Sequence, residues 1–433
     1  MGNIWDKPIR WIFKGDEVKS HAMIGEAKRV LYQLKNIQSA GSSQYMLSKR
    51  YVDGSSVNVR TDVQGLDIIK IFTPSLVLKG AKGIIEEEKL VVGGYLNTSP
   101  QTTKVDTWPL SLSSHTEAVA SDADWDQYFV GKIAIDQKRA EAWVGGGFDK
   151  VHCFNVKTGD YVTSININPY STWETWEQIY SLAIDESEDL LFVGTDHAGY
   201  PPGGVVYAID LKTRTIINTI NMIAGNYHNP YVMNVINKTY NDIKYHNLYI
   251  ATNSHYIDYY SLPDMTLKGT IDLLTYGMQP GSSSVNYKKG YIYYTNGFDD
   301  IVRLDIKTGL FNSKTYPDHE CISTAVNEKT GNVYVHAMQK IGLGGKNAVV
   351  SFDEDLNLLS ASSGFGAQYE WGNAIVIQHD GNYLYAILWG HASNNYKGSV
   401  NKIKTENLEI IDTQYSSHVY TSAAMYYKER EEE

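Results

Sequence analysis

The chain has 433 residues, 42% of them hydrophobic and 20% charged, and a formal net charge of −11. No apolar run approaches the roughly 18 residues that a membrane-spanning helix needs, so no membrane insertion is expected. The acidic balance also argues against a broad electrostatic grip on nucleic acid. The opening MGNIWDKPIRWIFKGDEVK has no apolar core of the kind a secretory leader carries, which leads to an expected location in the cytoplasm or in an assembled virion. Cys153 and Cys321 are the only cysteines, too few for a disulfide framework or a zinc site, and both read as isolated buried thiols. The 33 tyrosines and 9 tryptophans suit strands, and they suit wet binding surfaces equally well.

Residues 1–70 stand apart from the rest of the chain. Between Glu17 and Ile37 the apolar positions Val18, Met23, Ile24, Ala27, Val30, Leu31, Leu34 and Ile37 recur at three-and-four spacing. That spacing predicts an amphipathic helix over about 16–38, with Asp16 as its N-cap. The extension either packs on the main body or docks on other protein subunits.

From Ser75 onward, short strand-like runs recur. Lys132 to Asn168 is the clearest unit, with runs at Ile133–Ile135, Ala142–Gly145, Val151–Asn155 and Tyr161–Ile165. Later units centre on Leu191–Gly194 with Val205–Asp210, Leu248–Ala251 with Ile257–Tyr260, and Tyr291–Tyr294 with Ile301–Asp305. Two more centre on Val333–His336 with Val349–Asp353, and on Tyr383–Ala386 with Val400–Lys404. The register repeats too: Asp136 precedes Gly145 by the spacing at which Asp185 precedes Gly194 and Asn327 precedes His336. A Lys-Thr turn before the last run recurs at Lys157-Thr158-Gly159, Lys212-Thr213, Lys307-Thr308-Gly309 and Lys404-Thr405. Gly there supplies the positive φ of a tight hairpin.

Four-strand units at this period predict an all-β fold, a β-propeller over 71–433. Seven blades are expected, with eight as the alternative if Ser56 to Leu78 supplies outer strands. A final run at about 418–427, a first strand with nothing after it, would close the ring. The phrase LLFVGTD…GGVVYAIDLKTRTIINTI, within Leu190 to Ile220, resembles the YVTN and NHL-like propeller superfamily. The resemblance implies the fold and carries no activity. The repeated Trp-Asp signature of WD40 blades is missing, since Trp125-Asp126 stands outside the repeat register, and the tryptophan-docking motif of quinoprotein propellers is not matched.

Blade crossings and the connections between second and third strands are long and aromatic, and they should share one face. Candidate ligand-binding residues there are Trp173, Trp176, Tyr180, His197, Tyr227, His228, Tyr231, Tyr369, Trp371, Trp389 and His391. The same tryptophans could instead pack between blades. No cofactor fingerprint, nucleophile elbow or metal-ligand spacing is legible, so no catalytic or metal residue is assigned. The leading expectation is a non-enzymatic binding or structural protein. One concrete form is a phage tail or receptor-binding component that recognises protein or glycan. The alternatives are a metal-dependent lyase or hydrolase using His197, His228 and His391, and a cytoplasmic interaction scaffold.

Overall fold

The computed structural model describes residues 9–14, 17–22, 30–39, 42–51, 56–64, 85–96, 102–120, 132–145, 149–168, 177–197, 203–222, 229–273, 280–296, 298–340, 345–366, 371–389, 398–416 and 419–429. The chain divides into two compact units, residues 1–87 with 428–433, and residues 88–427.

In the first unit, β1 (Ile9–Lys14) pairs with β2 (Glu17–Ala22). A separate sheet runs β3 (Val30–Ser39), β4 (Ser42–Tyr51), β5 (Ser56–Gln64). The helix expected over about 16–38 is therefore replaced, wherever the backbone is described, by the strands β2 and β3; residues 16 and 23–29 lie outside the described residues. The physical reason can be read in β3. Val30, Tyr32 and Leu34 alternate at strand spacing, and a ten-residue antiparallel register with β4, from Val30↔Tyr51 to Ser39↔Ser42, satisfies the backbone of that segment. β5 pairs with β4, so it is not an outer strand of an eighth blade.

The second unit is a ring of seven four-stranded antiparallel sheets among the described residues. The first holds β6 (Ile85–Leu96), β7 (Thr102–Pro109) and β8 (Thr116–Val119). The second holds β9 (Ile133–Asp136), β10 (Glu141–Gly145), β11 (Lys150–Asn155) and β12 (Asp160–Asn166). The third holds β13 (Glu177–Asp185), β14 (Leu190–His197), β15 (Gly203–Asp210) and β16 (Thr215–Asn221). The fourth holds β17 (Pro230–Tyr240), β18 (Ile243–Thr252), β19 (Tyr256–Ser261) and β20 (Thr266–Asp272). The fifth holds β21 (Ser282–Asn286), β22 (Tyr291–Thr295), β23 (Asp300–Asp305) and β24 (Phe311–Thr315). The sixth holds β25 (His319–Val326), β26 (Val333–Gln339), β27 (Asn347–Phe352) and β28 (Leu358–Ala361). The seventh holds β29 (Trp371–Ile377), β30 (Tyr383–Trp389), β31 (Ser399–Lys404) and β32 (Ile410–Tyr415). The last strand, β33 (Val419–Glu429), joins the first sheet in the order β33-β6-β7-β8.

Side-chain packing shows that the ring closes. A four-stranded sheet cannot bury both of its faces alone, so each blade packs on the next. Trp143 and Cys153 of the second blade share a cluster with Leu191 and Ile209 of the third. The equivalent cluster at the seam joins Tyr385 and Val400 of the seventh blade to Leu90, Trp108 and Tyr420 of the first. Both thiols are buried and free; burial pushes Cys321 up to about 12 and raises Cys153 as well.

The repeats in the sequence correspond to two recurring turns. Between first and second strands, a side-chain oxygen folds back on the turn backbone: Asp136 Oδ1 accepts from Arg139 N at 3.0 Å, Asn286 Oδ1 from Lys289 N at 3.0 Å, and Asn327 Oδ1 from Lys329 N at 3.0 Å. Between third and fourth strands, Asn155, Asp210 and Asp305 accept from the N–H of Lys157, Lys212 and Lys307 at 2.8–2.9 Å. Gly159 and Gly309 take the expected positive φ there, 76° and 70°, and Arg214 fills the same place at 58°.

Candidate functional site

The seven first strands surround a central channel with a cavity volume of about 490 Å³, lined by residues of all seven blades. Hydrogen bonds tie these strands together: Ser283 Oγ donates to Asn234 Oδ1 at 3.0 Å, and Ser284 Oγ lies 2.5 Å from Thr324 Oγ1.

One irregularity shapes the rim. In β13, β17, β25 and β29 the pairing with the second strand skips a residue near the entry end, leaving Tyr180, Tyr231, Ile322 and Asn373 as bulged positions. A bulge re-aims one side chain and ends regular pairing. Tyr231 and Asn373 line the channel. Tyr180 stacks on Tyr231 with ring centroids 4.6 Å apart and planes at 18°. The Tyr180 hydroxyl donates to Gln178 Oε1 at 3.0 Å. Burial raises both phenols above the usual tyrosine value, so each remains a neutral donor at ordinary pH.

The structure thus brings two of the sequence candidates, Tyr180 and Tyr231, into one stacked pair. Trp371 stands opposite Trp389 in the β29–β30 register, and His197 stands opposite Glu177 in β13–β14. All five positions lie at the same end of their blades, where first strands begin and second strands finish. Trp389 is half-buried against the cluster of Val91, Tyr95 and Val419, which makes it a packing residue. Trp173, Trp176, Tyr227, His228, Tyr369 and His391 lie outside the described residues. Among the described residues no histidine lines the channel.

A second cluster sits at the seam and carries no sequence motif. Lys104 Nζ lies 3.1 Å from Asp106 and 2.9 Å from Glu117, and His115 Nε2 lies 3.0 Å from Glu117. The Tyr420 hydroxyl donates to Asp106 Oδ2 at 2.6 Å, and Trp108 stacks on His115 at 4.1 Å. Burial raises the Asp106 carboxyl despite Lys104. Burial also pulls Glu117 up, but hydrogen bonds from Lys104 and His115 outweigh it and leave that carboxyl low. Asp106, His115 and Glu117 offer donor atoms within 4.8 Å of one another, a spacing open to a cation. The Lys104 ammonium already supplies that charge, so the cluster reads as a polar lock between β7, β8 and β33. Only the alternation Lys104-x-Asp106, which puts both on one face of β7, was open to sequence reasoning. Tyr420→Phe removes a donor from the buried Asp106; a loss of about 1–3 kcal/mol is expected, measured as a lowered urea midpoint at unchanged slope.

No protein-family model matches the chain, and no curated protein matches it in sequence. Solved structures do. A protein from Lactobacillus plantarum superposes with a TM-score of 0.56 at 11% identity, over 78% of this chain and 99% of that one. The β-propeller domain of Cps50 (Swd1) from Myceliophteria thermophila gives 0.48 at 10% identity, over 68% of this chain and 89% of that domain. At these identities the likeness concerns the fold alone. The sheet order and the closed ring of inter-blade clusters show that residues 88–427 form a seven-bladed β-propeller closed by its C-terminal strand.

Proposed function

We propose that this chain is a non-enzymatic recognition propeller that binds a glycan or protein through the face where first strands begin. The observation that supports it is the Tyr180–Tyr231 stack, set on two neighbouring bulges beside the channel mouth. Stacked phenols held by packing offer flat apolar area with polar tips at little entropic cost, which suits sugar rings and peptide side chains. Residues 1–70 are proposed as the segment that docks on other subunits, so that the propeller projects from an assembly such as a phage tail.

A glycan array probed with the full chain tests recognition. Binding to a defined set of glycans, lost by tenfold or so in Tyr180→Ala/Tyr231→Ala, is the expected result. An array with no specific signal, or a signal indifferent to that double substitution, overturns the glycan reading; in the first case capture of a virion protein by the same face would be the form left to test.

A further inference from the structure

The inner wall of the channel mixes apolar side chains with hydroxyl and amide side chains such as Ser282, Ser283, Ser284, Thr324 and Asn234, and it carries one charged side chain, Lys132. Lys132 stands four residues before the turn residue Asp136, as Ser181 stands before Asp185, Ser282 before Asn286, and Ser323 before Asn327. The strand pairing confirms the equivalence. The Lys132 carbonyl accepts from Gly145 N, while Ser181, Ser282 and Ser323 oppose Gly194, Thr295 and His336. The fold therefore accepts serine at this position in three blades, and nothing in blade geometry calls for a lysine in the second.

Among the described residues, Lys132 is the only charged side chain lining the channel, and none of them pairs with its ammonium. It is half-buried because it opens on to the cavity, yet the surrounding protein desolvates it enough to lower its pKa below the usual lysine value. An unpaired ammonium in such a site is costly to keep. Elsewhere in the same lining stand hydroxyls of the fifth and sixth blades, Ser282, Ser283, Ser284 and Thr324. Among the described lining residues, one cation shares the cavity with neutral hydroxyls and amides and with no acid, which matches the chemistry of an anion with a polar body.

We propose that the central channel is a binding site for a small polar organic anion, its carboxylate or phosphate held by Lys132 and its hydroxyls met by the serine-rich wall. Tyr231 of the aromatic rim borders the same cavity, but the proposal rests on Lys132 and is tested independently of glycan recognition at the rim.

Isothermal titration calorimetry of the full chain at constant ionic strength is the test, with glucuronate and glucose 6-phosphate as probes and neutral glucose as control. The expected result is binding of at least one anion with glucose much weaker. Lys132→Ser should weaken that binding about tenfold or more, while Lys132→Arg largely preserves it. Serine is the residue other blades carry at this position, so the variant should retain its fold, which circular dichroism checks. Failure of both anions to bind, equal binding of glucose, or unchanged anion affinity in Lys132→Ser would each overturn the proposal.

Discussion

A chain stopped after Ser416 is expected to lose its cooperative unfolding transition and to associate through an open sheet edge. Without β33 the first blade keeps only β6, β7 and β8, and β6 presents a row of unpaired backbone groups. Val419, Tyr420 and Tyr426 are each at most 1% exposed, and burying side chains of this size contributes about 1.5–3 kcal/mol apiece. Together that is a large share of the roughly 5–15 kcal/mol that holds a typical domain folded. Bonds from β33 to the second blade go as well: Gln137 Nε2 donates to Met425 O at 2.9 Å, and Tyr427 N donates to Gln137 Oε1 at 2.9 Å. A gentler version is Gly94→Ala. A Cβ at Gly94 would collide with the carbonyl oxygen of Val419, which is backbone and can yield only if β33 moves. Gly94→Ala is expected to cost about 2 kcal/mol or more, the range of overpacking against rigid atoms. Urea unfolding followed by far-ultraviolet dichroism, with light scattering for association, reads both variants. A truncated chain that unfolds as sharply as the full one, and stays monomeric, would refute the closure role of β33.

The fold was legible because its units repeat. Asp136, Asp185 and Asn327, with the Lys-Thr turns, mark hairpins whose side-chain-to-backbone bonds are local, so sequence alone carries them. The site was legible only in part. Tyr180 and Tyr231 were singled out as aromatics of the blade crossings, whereas the structure holds them inside the first strands β13 and β17, and their stacking depends on bulges that no local motif announces. The lock of Lys104, Asp106, His115, Glu117 and Tyr420 joins residues more than 300 positions apart, so it exists only once the ring has closed. Lys132 was hidden for the opposite reason. It lies in the most regular repeat, and only alignment by strand register shows that it replaces a serine. Within residues 16–38 the described segments 17–22 and 30–38 are strand: Val30, Tyr32 and Leu34 also alternate at strand spacing, and the long register with β4 satisfies that backbone.

Stability should fall as pH drops from about 6.5 toward 4, and His336 should account for much of the loss. Its ring is fully buried in β26; Nε2 lies 3.1 Å from Asn347 Oδ1, and the ring stacks on Phe365 at 5.8 Å. Gly372 packs so close to the imidazole that any side chain there would strike it, leaving no room for water. Burial lowers the pKa from 6.5 to about 4, against the smaller opposing effect of the Asn347 bond. The sign is set by linkage: the unfolded chain takes up the proton first, so the contribution is complete above pH 6.5 and is lost as pH falls through 6.5 toward 4. At roughly 1.4 kcal/mol per pH unit, the full loss is about 3 kcal/mol. Asp106 acts in the other sense. Burial raises its carboxyl, so its contribution is fully present below the ordinary value of 3.8 and is lost as pH rises through the raised one. Urea midpoints at pH 7.0 and 4.5 separate the two. His336→Gln is expected to be less stable at pH 7.0 but to lose markedly less on acidification than the parent, whereas Asp106→Asn should leave the histidine slope in place. If His336→Gln and the parent lose equal stability between those pH values, the acid sensitivity resides elsewhere and the buried neutral imidazole is not its source.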